Sequence, residues 1–394
     1  MSFDPKRFDD VALQPNGLDT AFGVPDTNLS GLLTFFFAAK PVSRHIVTAN
    51  EGAAVALAAG YHLSTGKIAM VYMQNSGLAN ALNPLQSLAA KEVFGIPMLL
   101  LIGWRRGESA EEEELQDAAV GPRLLRNLET NDIPHEEIPT SIDSTRHTIS
   151  RLLARAVQEK TPVALLVARD TFAEYGVDEP PDFASSIRIS YPGVTDWTST
   201  GRSRLPLSRK DAIRCIIGQM AAQDLSVSSL GGNTREYYTL CEEMNRSSAR
   251  NFFCLGAMGH VYALSYGVGM GFSSGRIFCI DGDGSFLMHA GNNALLAGTS
   301  PSNLIHVIIY NGVHASTGNH PVAIRRENLV ALVRGLPYEQ RFLVDDAEGL
   351  KNACKCAAGS TVIIVAVNRS LQKNLPPPSE SPYELKNMFM KSLR

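Results

Sequence analysis

Asp283 and Asn311 are hard oxygen donors, and each stands where an apolar run stops. Ile277–Ile280 ends abruptly in Asp281-Gly282-Asp283-Gly284. The next 26 residues, Ser285–Tyr310, predict a helix opening at Ser285, a break at Pro301-Ser302 and a strand over Leu304–Tyr310 that closes on Asn311. Gly282 and Gly284 let the backbone turn tightly, and the N–H groups at a helix start face whatever anion sits there. A carboxylate and an amide oxygen at two strand ends suit an octahedral Mg²⁺ that also binds phosphate oxygens. The stretch reads as a metal–diphosphate site. Its other reading is an Asp-Gly turn after a buried strand, with Asn311 capping a loop.

Two further strand-to-helix junctions carry groups that could do chemistry. In His45–Lys67 a strand ends in Asn50-Glu51 and an Ala-rich helix starts at once. Glu51 is either a base or simply an acidic residue favoured by its own helix dipole. In Phe253-Cys254-Leu255-Gly256-Ala257-Met258-Gly259-His260 another glycine turn follows a strand. By composition it is a weak phosphate-type loop, with Met258 a core residue.

The elements that must position these groups alternate along the chain. Strands are expected at His45–Ala49, Ile68–Met73, Met98–Gly103 and Val163–Ala168, with helices at Gly52–Ser64, Leu78–Ala90 and 147–160. The charged run Glu108–Glu114 reads as a solvated loop or helix start. After the Pro/Ser/Thr-rich stretch 179–207, a helix from Ser208 precedes strands at Ser226–Leu230, Phe252–Leu255, Ile277–Ile280, Leu304–Tyr310 and Val362–Val367. A terminal amphipathic helix, Pro382–Leu393, is expected to pack back on the body. Alternation of this kind predicts two α/β domains with largely parallel sheets. The expected boundaries are 1–178, a linker at 179–207, and 208–394. No internal repeat of short period is visible.

Composition narrows the function classes. At 394 residues, 44% hydrophobic and 19% charged, the chain has the make-up of a soluble globular protein. A net charge of −3 and the lack of any basic stripe interleaved with aromatics argue against nucleic acid as a partner. The longest apolar runs are too short to span a bilayer, and the first ten residues lack a signal-peptide pattern. Six cysteines without paired spacing are expected to be core thiols in a reducing compartment, so the expected location is cytoplasmic.

Gly282-Asp283-Gly284, then 26 residues, then Asn311-Gly312 resembles the diphosphate-binding motif of thiamine diphosphate enzymes. Glu51-Gly-Ala-Ala-Val-Ala-Leu-Ala-Ala-Gly-Tyr61 resembles the same family's catalytic glutamate segment. The resemblance implies two thiamine diphosphate-binding domains, one for the pyrimidine and one for the diphosphate, without the central third domain of larger members. It implies that Asp283, Asn311 and the Val313 carbonyl hold Mg²⁺, with Gly282, Gly284 and Ser285 around the diphosphate. Glu51 would hydrogen-bond the aminopyrimidine, and Met258 would wedge under the cofactor. Gly256 would offer it a carbonyl, and Gly259 and His260 would approach the diphosphate. With the pyrimidine side on one subunit and the diphosphate side on another, a homodimer or homotetramer is implied.

Within that family the chain is most similar to the phosphonopyruvate decarboxylases, with the sulfopyruvate decarboxylases next. Gly23-Val24-Pro25-Asp26, Ala49–Gly52, Tyr72–Leu78, Leu101–Arg105 and Asn311–His314 carry this likeness. The implied substrate is a small 2-oxo acid with a second anionic group, and the implied product is an aldehyde; a carboligation is the further alternative. Asn75-Ser76-Gly77 and Arg105 or Arg106 would then meet the anion, with His314 beside the substrate and Asp26 managing protons. Plainer roles for Asp26 as a turn residue and for the arginines at the surface stay open. Two departures bear on the substrate. The family's acid-Ser-Thr-Gly-Gly-Gln is Ala315-Ser316-Thr317-Gly318-Asn319-His320, and Glu-Pro-Gln-His is Glu114-Leu115-Gln116-Asp117, where the histidine is lost.

Overall fold

The computed structural model describes residues 2–106, 117–176, 207–370 and 375–393. The chain divides into two compact units, Met1–Ser186 and Ile187–Arg394. Most of the expected linker, the charged run Glu108–Glu114 and residues 114–116 of the altered motif lie outside the described residues.

The first unit is built on six strands: β1 (Ala21–Gly23), β2 (His45–Val47), β3 (Met70–Gln74), β4 (Leu99–Gly103), β5 (His135–Glu137) and β6 (Val163–Val167). They form one parallel sheet in the order β2-β1-β3-β4-β6-β5. The Glu51–Thr65 helix packs on β1 and β3. Nearly every residue of it is buried, which its run of alanines and glycine permits because small side chains let neighbours approach on all sides. Asn50 caps its start by accepting the Ala53 N–H at 2.9 Å, and Gly66 ends it in the left-handed region.

The second unit holds β7 (Leu225–Ser228), β8 (Asn251–Phe253), β9 (Ile277–Gly282) and β10 (Leu304–Tyr310). The short hairpin strands β11 (Val313–His314) and β12 (His320–Pro321) follow, then β13 (Gln340–Val344) and β14 (Thr361–Ala366). The main sheet is again parallel, ordered β13-β14-β10-β9-β7-β8. Read from its other edge, this is the strand order of the first unit. The expected α/β class with two parallel sheets is therefore observed.

Several elements differ from expectation. Strands β1 and β5 are three residues long, too short to display a period, and β5 carries His-Glu-Glu at a sheet edge. The helix expected at 147–160 starts earlier, at Ile142, because the Ser141 side chain accepts the Ser144 N–H. The helix expected from Ser285 opens at Asp283, so the motif's carboxylate sits in the first turn. The terminal helix Pro382–Ser392 does pack back, burying Phe389 against Phe252.

Candidate active site

In both units the candidate residues gather where strands meet loops at their carboxyl ends. Each sheet reverses its direction of winding beside these residues, between β1 and β3 in the first unit and between β7 and β9 in the second. Such switch points leave a crevice because the loops on either side run apart.

In the first unit Asp26 follows β1, Glu51 follows β2, Asn75 follows β3 and Arg105 follows β4. Glu51 is 8% exposed. Its Oε2 accepts a hydrogen bond from Asn80 Nδ2 at 2.9 Å, and its Oε1 lies over Gly77, where any β-carbon would strike it. Gly77 is therefore a close-approach position, where only a glycine leaves room for the Glu51 carboxylate. Ser76 faces outward. Asn80 was not foreseen; its only signal is an amide one helical turn beyond the strand end.

Asp26, Asn75 and Arg105 form one cluster with Asp117. Arg105 Nη2 donates to Asp26 Oδ1 at 2.7 Å and to Thr27 Oγ1 at 2.5 Å. Its Nε lies 3.9 Å from Asp117 Oδ2, and its backbone N–H reaches Asn75 Oδ1 at 3.4 Å. Burial raises Asp26 above the ordinary carboxylate range, against the opposing pull of Arg105. Arg105, a candidate for either the substrate anion or the surface, thus meets carboxylates of its own unit through Nη2 and Nε. Arg106 turns away, stacking over Trp104 and pairing with Glu137.

In the second unit the β9–β10 register sets Gly282 opposite Ile309, which brings Asp283 and Asn311 together. Asp283 Oδ2 accepts the N–H groups of Asn311 (3.1 Å) and Gly312 (2.7 Å), while Oδ1 accepts that of Gly284 at 2.8 Å. Asn311 Oδ1 accepts the Val313 N–H at 2.9 Å. Burial raises Asp283, and the three backbone donors oppose that rise. The His314 ring packs against Gly284, whose missing side chain leaves it room. Met258, Gly282, Asp283, Ser285, Asn311 and Val313 line one cleft.

Gly256, Gly259 and His260 flank that cleft without lining it. The Gly256 carbonyl accepts the Cys254 thiol at 3.0 Å, and the Gly259 N–H donates to Ser285 Oγ at 3.1 Å. His260 stacks on His289 with ring centroids 4.1 Å apart; burial, then its neighbour His289, pushes it down to about 3. It is a neutral imidazole near neutral pH and brings no charge to a phosphate.

The loop Ser229–Asn233, not singled out from sequence, completes the cleft. Asn233 Nδ2 donates to Ser229 Oγ at 3.1 Å and borders Gly282. Beneath the loop, Arg209 and Glu236 form a bidentate pair, both bonds 2.8 Å, with side chains 7% and 2% exposed. The Gly231-Gly232 pair between a strand and a helix was the available signal. Glu236→Gln leaves Arg209 buried beside a neutral partner, and the expected loss is about 3 kcal/mol. A fall in the urea midpoint with unchanged slope checks it.

Comparison with known proteins agrees with this geometry. Residues 11–121 match the N-terminal TPP binding domain of thiamine pyrophosphate enzymes, and residues 231–366 match their C-terminal TPP binding domain. A sulfopyruvate decarboxylase subunit beta from Methanothermobacter thermautotrophicus is 40% identical over 141 residues, 36% of this chain and 72% of that protein. The chain belongs to the thiamine pyrophosphate enzymes. Its place among them is with the thiamine diphosphate-dependent decarboxylases. A phosphonopyruvate decarboxylase from Streptomyces viridochromogenes is 28% identical over 377 residues, covering 95% of this chain and 91% of that one. The fold matches that of a benzoylformate decarboxylase from Polynucleobacter necessarius with a TM-score of 0.70 at 13% identity, over 94% of this chain and all of that one.

The residues present fit the family's cofactor. Asp283, Asn311 and Val313 supply hard oxygens only, as a small divalent cation wants. Gly282 leaves half-buried backbone beside them, and Gly284 lies buried under the His314 ring. Among the described residues no helix is long and apolar enough to cross a membrane.

Proposed function

We propose that this enzyme decarboxylates 3-phosphonopyruvate to phosphonoacetaldehyde and CO₂, with thiamine diphosphate and Mg²⁺, as a step of phosphonate biosynthesis. The observation that carries the reading is the buried cluster after β1, β3 and β4, found in a chain whose likeness to a phosphonopyruvate decarboxylase runs nearly end to end. Arg105 Nη1 and Asn75 Nδ2 are buried donors without partners among the described residues, available to an anionic substrate.

Thiamine diphosphate, when bound, supplies the electron sink that takes up the bonding pair as CO₂ leaves. The chain's own residues do the rest. Asp283, Asn311 and the Val313 carbonyl would hold Mg²⁺, and Met258, in the same cleft, would contribute apolar surface to the cofactor. Glu51 would hydrogen-bond the aminopyrimidine and set its protonation, with Asn80 fixing the carboxylate's direction. Asp26 supplies a proton to the substrate-derived carbon. His314 and the β11–β12 hairpin, where residues 315–320 depart from the family pattern, border the substrate. We propose that the working form is a homo-oligomer, a dimer or larger.

Sulfopyruvate is the second reading, supported by the sulfopyruvate decarboxylase relative. A sulfonate carries one charge where a phosphonate carries up to two, so paired donors favour the phosphonate. Turnover of phosphonopyruvate, sulfopyruvate and pyruvate, each followed by CO₂ release and product identity, tests the reading. The expected result is a kcat/KM for phosphonopyruvate at least about tenfold above the others, a modest figure for a single charge contact. A preference for sulfopyruvate moves the assignment to the second reading. A carboligated product in place of free aldehyde overturns the decarboxylase reading.

A further inference from the structure

The cluster around Arg105 holds more buried negative charge than its cation neutralises. Asp26 is fully buried at its side chain and Asp117 nearly so, while Arg105 is the one guanidinium between them. Arg106, next in the chain, pairs with Glu137. Four atoms of the cluster are buried without a partner among the described residues: Asp26 Oδ2, Asp117 Oδ1, Arg105 Nη1 and Asn75 Nδ2. Two carboxylates facing one guanidinium, with an unpartnered oxygen on each, leave an excess charge in a poorly solvated place. Such a charge is costly, and one proton removes it.

Asp117 is not there by accident of a loose segment. The Trp104 indole N–H donates to the Gly121 carbonyl at 3.0 Å, and the Gly121 N–H donates to the Asp117 carbonyl at 2.8 Å. A side chain at 121 would collide with the backbone of Arg105 and Arg106. The turn 117–121 is thereby fastened to the end of β4, with the Asp117 carboxylate beside Arg105.

We propose that Asp117 is a positioning residue that draws on Arg105, so that Asp26 holds a proton and delivers it in the reaction. This rests on the decarboxylase reading above. In the step, the O–H bond of Asp26 breaks as a C–H bond forms at the carbon that lost CO₂, and Asp26 regains its proton from water. The same proton lowers the negative charge that a doubly anionic substrate must approach. The groups facing Asp26 are Thr27 and Asn28 from its own loop, Arg105 from β4, Asn75 from β3, and Asp117 across the guanidinium. Raising of Asp26 by burial acts in the same direction.

The test is isotope-edited infrared spectroscopy of the full-length, cofactor-free protein with labelled aspartate, beside pH profiles of the loaded enzyme. Wild type is expected to show a protonated carboxyl band at pH 7 that disappears in both Asp26→Asn and Asp117→Asn. With Asp117 neutral, Arg105 belongs to Asp26 alone and holds its anion more tightly. The alkaline limb of kcat should then move down by about one pH unit or more, with KM changed less than kcat. Asp117→Glu, which keeps the charge, should restore both band and limb, and it serves if Asp117→Asn fails to fold. A wild type without the band, or an Asp117→Asn that keeps band and limb, overturns the proposal. Should the wild type turn over none of the 2-oxo acids, the function reading fails while the infrared result still decides this one.

Discussion

Glu51→Gln is expected to lower kcat by about a thousandfold, within the range for loss of one positioned acid–base group. The glutamine keeps an oxygen for Asn80 Nδ2 and fits the same space over Gly77, so the substitution removes only the capacity to carry and exchange a proton. Stability should change by less than about 1 kcal/mol, the worth of a carboxylate in the first turn of a helix. KM should move little, because Glu51 is assigned to the cofactor and not to the substrate. Steady-state kinetics with matched circular dichroism spectra would check this. A variant with near wild-type kcat would return Glu51 to the role of a helix-stabilising acid. Glu51→Ala is expected to be worse in both respects, since it also strands Asn80 and opens a gap over Gly77.

What the sequence made legible follows from how each feature is encoded. Glu51, Asp283 and Asn311 were readable because an apolar run stops abruptly at each, and an abrupt stop is local. The α/β class was readable for the same reason, through alternation of runs. The identical strand order of the two units was not. A buried strand asks only for apolar β-formers, so Val163–Val167 and Thr361–Ala366 fill equivalent places with no sequence repeat between them. Asp26 and Arg105 are 79 residues apart and Arg209 and Glu236 are 27 apart, and nothing local announces either pair. Arg105 looked like a free cation because its partners arrive only with the fold. Asp117 looked like a lost histidine, whereas the structure gives it a buried place beside that arginine.

Asp283→Ala is expected to abolish cofactor binding in practice, weakening it on the order of a thousandfold, beyond the 10–100-fold typical of residues that only support a metal's ligands. Two effects combine in this figure. The proposed metal loses its one anionic protein oxygen. The N–H groups of Gly284, Asn311 and Gly312 also lose their shared acceptor, so the two strand ends are no longer tied to each other. Each buried donor left unpaired costs about 1–3 kcal/mol, so the apo variant should also unfold earlier in urea. Asp283→Asn separates the two effects. Its amide oxygen can still receive Asn311 and Gly312, but its NH₂ then faces the Gly284 N–H, donor against donor. That variant should recover part of the apo stability and little of the cofactor affinity. Thermal shift gives the readout, since a ligand that binds only the folded state raises Tm with the logarithm of its concentration relative to Kd. Wild type should rise on adding thiamine diphosphate with Mg²⁺ and rise less with either alone. If both Asp283 variants keep the full shift, the metal is held elsewhere, and the strand-end carboxylate is a structural tie between β9 and β10.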